Sequence, residues 1–294
     1  MDKKAAVERL LARGVLVTPE VLSQLTEDQV EQVGGEGAVV TAVPAGPVVE
    51  LPAEQASLTV ADVVGFYREK YDRLRDLLLQ RVEPISVSHT GKVFQAVALI
   101  LMVREAALQG FVGEDPTGTV EVVCKDRPEP KDVVGVRGYM REGKVVASEL
   151  VWPDVPLPKG GKRGVVELGP AGVRVGRWPA VAVARAPARV RAADLEILAC
   201  RGEGPPEEWL RKRCLPGPPR ATANPYVLTR VPDVLWVQGR EEGSKIYKGV
   251  MIVQTREGQG ARVDLEQGSV VFSAPGQEDG GRTTAVLRKE GPPK

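Results

Sequence analysis

The side chains most often used for metal-dependent or nucleophilic chemistry are scarce in this sequence. It contains a single histidine, His89, and three cysteines, Cys124, Cys200 and Cys214. The cysteines form no CxxC pair, and Cys200 and Cys214 have no neighbouring histidine, so their spacing does not predict a zinc site. An odd number of cysteines favours reduced thiols. A metal site that needs several histidine ligands therefore cannot be formed by this chain's one histidine.

Two further patterns have ordinary structural interpretations. The stretch 161–172, GKRGVVELGPAG, contains glycines and basic residues but lacks the spacing of a phosphate-binding P-loop. Glu207 and Glu208 could form an acid/base pair. At the start of the helix predicted from PPEEWLRKRCL, however, they are better explained as charges that complement the helix dipole.

Charge is balanced overall but unevenly distributed. The chain has 40 Lys and Arg against 39 Asp and Glu, which excludes a strong global field for nucleic acid or a membrane. Residues 158–220 nevertheless contain 13 basic and 6 acidic residues. The arginines of this segment could contact phosphate groups, or they could simply be the solvated face of strands, and both interpretations stay open. The candidate nucleic-acid contacts are Arg163, Arg174, Arg177, Arg185, Arg189 and Arg191.

Hydrophobic periodicity predicts a helical N-terminal domain over 1–33, followed by a Gly/Pro-rich flexible linker over 34–57. A second helix begins near residue 58, and we expect its apolar stripe to pack on a neighbouring domain. The stripe contains Val64, Tyr67, Tyr71, Leu74 and Leu78.

Short β-rich runs separated by turns follow this helix. Because no long helix alternates with them, they indicate an OB-type β-barrel, which together with the helix forms a domain over 58–156. Residues 157–294 mix short strands with one helix, so the fold class is α+β with a final α/β sandwich. The predicted barrel strands are 96–103, 108–114, 118–124, 133–138 and 144–152.

The sequence shows no apolar segment of membrane-spanning length, since the longest apolar run is 96–103, AVALILMV. It also begins without a charged and then apolar leader. We therefore expect a cytoplasmic, nucleoid-associated protein with no membrane partner.

Three motifs carry a resemblance to a known family. They are 115–118 (DPTG), 132–138 (DVVGVRG) and 151–156 (VWPDVP), in that order after an N-terminal helical piece and a linker. This arrangement, over most of 1–156, resembles the small subunit of archaeal family D DNA polymerase. That family combines an OB barrel with a calcineurin-like phosphoesterase domain, which binds two metals through several histidine motifs.

The resemblance implies a phosphoesterase domain that departs from the family in its chemistry. Cys200, Arg201 and Gly202 stand where the family has a histidine before a glycine. Gly239 is kept, but Arg240 and Glu242 occupy the histidine positions of the Gly-His-x-His motif. The earlier metal motifs have no counterpart, which implies a shortened, degenerate domain over 157–294. We therefore predict no catalytic, cofactor or metal residue and no enzymatic activity.

The resemblance further implies an architectural or regulatory role in DNA replication or repair. The implied partner is a polymerase large subunit or another replication protein, with DNA as a further candidate. The alternative is a stand-alone OB-fold nucleic-acid-binding protein, although such barrels use exposed aromatic residues, which are few here. Candidate subunit or domain interface residues are Tyr67, Tyr71, Trp152, Pro153, Asp154 and Trp236.

Overall fold

The computed structural model of the protein is an α+β structure built mostly from sheets, which confirms the predicted fold class. None of the helices in the part of the chain that it describes is long and apolar enough to cross a membrane. The described residues are 3–12, 16–17, 39–40, 48–50, 57–92, 96–157, 162–176, 178, 180–183, 186–192, 194–220, 224–274 and 283–285.

The N-terminal region contains one described helix and three short strands. Helix α1 spans Lys3–Ala12, and strand β1, Leu16–Val17, pairs in parallel with β2, Val39–Val40. Strand β3, Val48–Glu50, lies in the stretch predicted as a linker and pairs with a strand of the C-terminal sandwich. The rest of 1–56, including most of the predicted helical domain, lies outside the described residues.

Helix α2, Val60–Leu78, begins at a capping box. Thr59 Oγ1 accepts a hydrogen bond from the Asp62 N–H (3.2 Å), and Asp62 Oδ2 accepts one from the Thr59 N–H (2.8 Å). This reciprocal pair satisfies two backbone donors that have no partner within the helix. A 3-10 helix, Val87–Lys92, follows before the barrel.

Five strands form a closed barrel, as the sequence predicted. Its first strand pairs with both the second and the fourth, and the third and fifth pair in parallel, so the strand order is β4-β5-β6-β8-β7. A bulge between Val103 and Glu105 bends the long first strand, which lets it reach both neighbours. The strands are β4 Ala96–Ala107, β5 Gly110–Asp115, β6 Gly118–Val123, β7 Val133–Arg141 and β8 Lys144–Val151.

The glycines of the DVVGVRG motif are required by close packing. A Cβ atom on Gly138 would lie 2.1 Å from the Val146 carbonyl oxygen, next to a register shift between β7 and β8. A Cβ atom on Gly135 would lie 2.8 Å from the Val82 side chain, which packs on the barrel from the end of α2. Only glycine fits both positions without moving its neighbours.

The C-terminal region is a sandwich of two sheets. One has the order β14-β15-β13-β12-β11-β3 and the other β10-β9-β16-β17-β18. In the first sheet β12, β13 and β15 run parallel, so their carboxyl ends meet at one edge. The elements are β9 Val165–Gly169, β10 Gly172–Val175, β11 Ala188–Ala192, β12 Leu195–Arg201, α3 Pro206–Lys212, β13 Val234–Gly239, β14 Gly243–Tyr247, β15 Val250–Arg256, β16 Ala261–Asp264, β17 Ser269–Phe272 and β18 Thr283–Ala285.

Separate apolar clusters hold these layers together. One fills the space between the two sheets and includes Val190, Trp236 and Val263. Another lies between the outer face of the six-stranded sheet and α3, and it also contains Phe66 of α2. A third joins α2 to the barrel through residues such as Leu74 and Ile100. Helix α2 therefore contacts both the barrel and the sandwich.

Candidate functional site

The Trp-Pro-Asp-Val-Pro segment after β8 ties the barrel to the sandwich through Asp154. The Asp154 N–H donates a hydrogen bond to the carbonyl oxygen of Arg211 in α3 (2.8 Å). Its carboxylate Oδ1 accepts from the Val155 N–H (2.7 Å) and from the Tyr247 hydroxyl (3.0 Å), and Oδ2 pairs with the Lys248 ammonium group. One carboxylate thus joins the barrel exit to the β14–β15 turn.

The backbone at Asp154 supports this arrangement. Its φ of 37° lies in the left-handed region, which aspartate tolerates better than most residues that are not glycine. Burial and the nearby Asp154 charge raise the pKa of the Tyr247 phenol, so Tyr247 stays a proton donor to the carboxylate at neutral pH.

Trp152 and its neighbours anchor the same segment on both sides. The Trp152 ring packs against the barrel core, and the Arg211 guanidinium lies 4.7 Å from the ring centroid. The Trp152 carbonyl oxygen accepts a hydrogen bond from Arg81 (3.1 Å). Pro153 is buried, and Val155 packs in the cluster under α3. The motif therefore places Trp152 and Val155 in two different cores.

Helix α2 holds the same junction from the other side. The Tyr71 hydroxyl donates to the Ile100 carbonyl oxygen of β4 (3.0 Å), and burial raises the Tyr71 pKa to about 12. Glu69 accepts from the Asn224 N–H (2.9 Å), while Arg73 donates to the Asn224 carbonyl oxygen (3.2 Å). Helix α2 thus makes a side-chain hydrogen bond to the barrel through Tyr71 and to a sandwich loop through Glu69 and Arg73.

A buried ion pair adds a further contact between barrel and sandwich. Lys212 of α3 lies 3.0 Å from Asp132, which immediately precedes β7 and is 7% exposed. Lys212 also pairs with Glu129. Burial raises the pKa of Asp132, although the Glu129 N–H and the Lys212 charge act in the opposite direction. Desolvation therefore outweighs the attraction at this carboxylate.

The Asp-Pro-Thr-Gly turn caps the 3-10 helix that carries the single histidine. Asp115 Oδ1 accepts from the N–H groups of Thr117 (2.7 Å) and Gly118 (3.0 Å). Asp115 Oδ2 accepts from the Val87 N–H at the start of the 3-10 helix (2.9 Å). His89 lies in that helix, with Nδ1 2.5 Å from Ser86 Oγ. This motif and the histidine therefore serve local structure at the barrel.

The two stretches that resemble histidine motifs meet at the carboxyl ends of parallel strands. Strands β12 and β13 pair in parallel with Arg201 opposite Gln238, and Arg201 Nε donates to the Gln238 side chain (3.3 Å). The loops that follow form a cleft of about 240 Å³, in the position where open α/β sheets generally bind ligands. Its lining residues are Gly202, Glu203, Gly204, Val237, Gly239, Arg240, Glu241 and Gln254.

Polar groups in and beside this cleft are paired with one another. Arg240 lies 3.6 Å from Glu203, Gln254 Nε2 lies 3.3 Å from Glu241, and the adjacent Glu242 accepts from Gln259 (2.6 Å). Within the described ranges, no group of three or more His, Cys, Asp or Glu residues is arranged to hold a metal ion. The cleft is also smaller than most small-molecule sites, which have volumes of roughly 300–1,000 Å³.

Cys200 does not face this cleft as a reactive group. Its side chain is 2% exposed and packs in the cluster under α3. Burial raises the pKa of its thiol to about 12, so the thiolate needed for nucleophilic or metal chemistry is disfavoured.

The predicted basic segment does not form one surface. Arg163 lies near Glu266 (3.8 Å), and Arg174, on the outer face of the five-stranded sheet, lies 3.2 Å from Glu167. Arg189 and Arg191 lie on the opposite outer face of the sandwich, where they pair with Glu196 and Glu50. Arg177 and Arg185 lie outside the described residues. Each described member therefore has a carboxylate partner.

The predicted interface residues fall into two groups. Tyr67, Tyr71, Trp152, Pro153 and Asp154 all lie at the junction between the barrel, α2 and α3. Trp236 is instead 1% exposed between the two sheets, where its indole N–H donates to Thr255 Oγ1 (2.8 Å).

Sequence reasoning did not identify Lys212, Asn224 or the buried Arg213. The basic end of the helix predicted from PPEEWLRKRCL was visible, but which of its charges is buried depends on packing against the distant barrel. No local sequence pattern indicates this contact with the barrel.

Comparison with known proteins gives one distant similarity. Over 115 aligned residues the chain is 27% identical to the "DNA polymerase II small subunit" of Archaeoglobus fulgidus. The alignment covers 35% of this chain and 24% of that protein, so the chain matches about a quarter of the relative's length. No family profile matches the chain. The similarity to a polymerase small subunit is therefore distant and partial.

Replacing Asp154 tests the junction. We expect Asp154→Ala to lower the free energy of unfolding by roughly 2–4 kcal/mol, because it removes the acceptor for Tyr247, Lys248 and the Val155 N–H. Asparagine tolerates the same φ and keeps one acceptor, so Asp154→Asn should lower the free energy of unfolding by about half as much. Glu142→Ala is the matched control, because Glu142 has a φ of 52° and its side chain is 81% exposed. Equal urea midpoints for the two alanine variants would contradict this account.

Replacing Lys212 tests the buried ion pair. We expect Lys212→Met to lower the free energy of unfolding by roughly 3 kcal/mol, because it leaves the Asp132 carboxylate buried without a cation. Adding Asp132→Asn should recover part of this loss, because it removes the unpaired charge.

The same variant should depend on pH in a defined direction. Burial already raises the pKa of Asp132 above the 3.8 of the unfolded chain, and Lys212 opposes this rise. Without Lys212 the pKa of folded Asp132 should therefore rise further, above its wild-type value. The deficit relative to wild type should therefore shrink as pH falls from neutral toward 3.8. A deficit that stays constant over this range in urea titrations would refute the assignment.

Proposed function

We propose that this protein is a non-catalytic relative of a DNA polymerase small subunit that acts as an architectural or regulatory factor in DNA replication or repair. One observation carries the proposal. The two stretches that resemble the family's late histidine motifs end at one cleft, which Gly202, Gly239 and Arg240 line. By the resemblance, Arg201, Arg240 and Glu242 stand where the family has histidines.

The two arginines among those replacements are poor substitutes for imidazole ligands, and Glu242 accepts a hydrogen bond from Gln259. A guanidinium group is cationic and has no lone pair to offer a metal ion, and Arg240 lies beside Glu203, the nearest acidic side chain in the cleft. Two-metal phosphodiester cleavage needs ligands that hold two cations and activate a water molecule. The cleft therefore supports a phosphoesterase-type domain that has lost this chemistry.

The barrel supports the same assignment. A five-stranded closed barrel in which the first strand pairs with the second and fourth, and the third pairs in parallel with the fifth, is the arrangement we assign to an OB-type fold. The Trp-Pro-Asp-Val-Pro segment then fixes this barrel on the sandwich. A rigid two-part body whose described residues form no metal-binding cluster fits a role in holding a partner.

The nucleic-acid-binding alternative has weaker support. Phe111 is fully buried in the barrel core, and Trp152 lies under Arg211 at the junction. Tyr139 is the exposed aromatic residue among the described barrel strands, at 48%. One ring gives a poor platform for stacking successive bases. Phe94 lies outside the described residues.

A nuclease assay tests the loss of chemistry. The purified protein, incubated with Mn²⁺ and single-stranded or mismatched primer DNA, should degrade neither substrate. A polymerase small subunit with intact histidine motifs serves as the positive control. Metal-dependent 3′–5′ degradation that persists through stringent purification, and is abolished by substitutions in the cleft, would overturn the proposal.

Co-elution with a polymerase partner tests the architectural role. Co-expressed with the family D polymerase large subunit of its own source organism, the protein should elute as one complex in size-exclusion chromatography. Separate elution at micromolar concentration would contradict the architectural role, and only the proposed relationship to polymerase small subunits would remain.

Surface variants then locate the contact. Leu108 and Tyr139 are exposed on the barrel, and Ile246 is exposed on the sandwich edge. If the barrel contacts the partner, Leu108→Ser with Tyr139→Ser should weaken co-elution while the melting temperature stays unchanged. Ile246→Ser is the matched sandwich control and should leave co-elution intact.

A further inference from the structure

Strand β14 is an open edge of the six-stranded sheet. The barrel has no such edge because it is closed. The edge of the five-stranded sheet at β10 is covered, since Val173 and Val181 exchange backbone hydrogen bonds (2.8 and 2.9 Å). Among the described residues, no segment pairs with the outer side of β14. An uncovered edge strand is a template on which another strand can pair.

The turn after β14 determines which of its backbone groups point outward. The Lys248–Gly249 loop that joins β14 to β15 has φ values of 45° and 83°, as in a type I′ hairpin turn. Tyr247 and Val250 flank this loop and therefore form a hydrogen-bonded pair, and such pairs alternate along an antiparallel ladder. The N–H and C=O groups of Ser244 and Ile246 consequently point away from β15. In the described part of the chain, no other group binds them.

The side chains of β14 leave this edge accessible. Lys245 pairs with Glu207 of α3, so its side chain is held toward that helix. Because side chains alternate along a strand, Ser244 and Ile246 lie on the opposite face. Ile246 is 46% exposed, with its Cδ1 atom close to Gly268 in the turn between β16 and β17. The free backbone groups therefore lie beside an exposed apolar side chain.

The charges at the two ends of β14 complement each other. Glu241 and Glu242 precede the strand and are exposed. Lys248 follows it, and 37% of its side chain is exposed although it also pairs with Asp154. When two copies of the strand run antiparallel, the acidic start of each lies beside the basic end of the other. The edge therefore matches a second copy of this chain in both backbone groups and charge.

From this geometry we propose that two copies of the protein pair through β14, which joins their six-stranded sheets across a two-fold axis. With the axis at the middle residue of the strand, Ser244 of each copy exchanges backbone hydrogen bonds with Ile246 of the other. Glu242 then lies opposite Lys248 of the other copy, so that opposite charges meet on both sides of the axis.

The side chains of Lys245 from the two copies meet at the proposed axis. Like charges directly opposite each other in neighbouring strands are destabilising. Each Lys245 is paired with Glu207 of its own α3, however, so the charges at the axis sum to zero. The Lys245 side chain is also 43% exposed, which leaves it hydrated. The axis therefore places no uncompensated charge in the interface.

Sedimentation equilibrium of the purified protein tests the association. Over a concentration series from low micromolar to submillimolar, the wild-type protein should pass from monomer to dimer. A wild-type protein that stays monomeric over the whole series would overturn the proposal. Because the protein is measured alone, the result does not depend on the proposed polymerase partner.

Proline at position 244 tests the strand pairing itself. Ser244→Pro removes an outward N–H group and none of the bonds to β15, so it should raise the dimer Kd by about tenfold or more. The melting temperature at a concentration where the protein is monomeric should stay nearly unchanged. Ser244→Ala keeps the N–H group and is the matched control, which should dimerise as the wild type does. Equal Kd values for these two variants would contradict pairing through β14.

Two side-chain variants keep the test decisive if Ser244→Pro fails to fold. Ile246→Ser removes the exposed apolar contact, and Glu242→Lys places like charges opposite each other, so each should raise the dimer Kd several-fold. Glu83→Lys makes the same charge change at an exposed position after α2 and should leave the Kd unchanged. If Ile246→Ser and Glu242→Lys both dimerise with the wild-type Kd, the interface lies elsewhere and the proposal is wrong.

Amide hydrogen exchange locates the pairing residue by residue. The N–H groups of Ser244 and Ile246 should exchange slowly where the protein is dimeric and rapidly where it is monomeric. The N–H group of Lys245, which faces β15, should be protected at both concentrations. Slow exchange of Ser244 and Ile246 at both concentrations would mean that the edge is covered within one chain, and rapid exchange at both would mean that it stays unpaired. Either result would overturn the proposal.

Discussion

The Asp154 carboxylate, placed by a left-handed backbone between two prolines, is the interaction on which the relation of barrel to sandwich depends. It lies where the chain leaves the barrel and binds Tyr247 at the end of β14 and Lys248 in the turn that follows, while the Asp154 N–H donates to α3. Charged, directional hydrogen bonds fix the orientation of the barrel on the sandwich more strictly than apolar packing does. The flanking Trp152 and Val155 then each enter a different core, so rotation about this segment would break contacts in both.

Helix α2 makes the same connection by different means. Its apolar stripe packs on β4 and β7, except for Val64, which is 61% exposed, so the prediction is wrong at that residue. Glu69 and Arg73 bind the backbone of Asn224 in a sandwich loop. The barrel therefore touches the sandwich through covalent continuity, through α2 and through the Lys212 ion pair. Three connections of different chemistry leave little freedom for relative motion. Such rigidity suits a body whose surface must present a constant shape.

The barrel could be predicted from the sequence because its strands are β-rich runs joined by recognisable turns, with no long helix between them. The predicted strand at 118–124 corresponds to Gly118–Val123, and the stretch at 133–138 lies within Val133–Arg141. The order of strands in the sandwich was not accessible in this way. Strand β3, from the far side of the barrel in sequence, pairs with β11, and β9 pairs with β16. Pairings between distant segments leave no periodic signal.

The candidate sites could likewise be predicted only where they do not depend on contacts between distant segments. The two cleft stretches were identified through their resemblance to known motifs, and parallel pairing then brings them together. The arginines looked like one basic strip because they are close in sequence. Alternation within a strand puts Arg189 and Arg191 on one face, but Arg174 belongs to a different sheet. Arg213 differs from the other arginines only in its burial, which depends on the tertiary fold.

The exposed position of the cleft has a consequence for the history of such a protein. The side chains of Arg240 and Glu203 are 90% and 79% exposed, and neither belongs to an apolar cluster. Substitutions at such positions usually change stability by no more than about 0.5 kcal/mol. Exposed side chains at this edge can therefore be replaced with little effect on folding, whereas cleft residues such as Val237, which is buried, cannot. A lineage with this architecture can lose or acquire a reaction at the rim without ever passing through an unfolded ancestor.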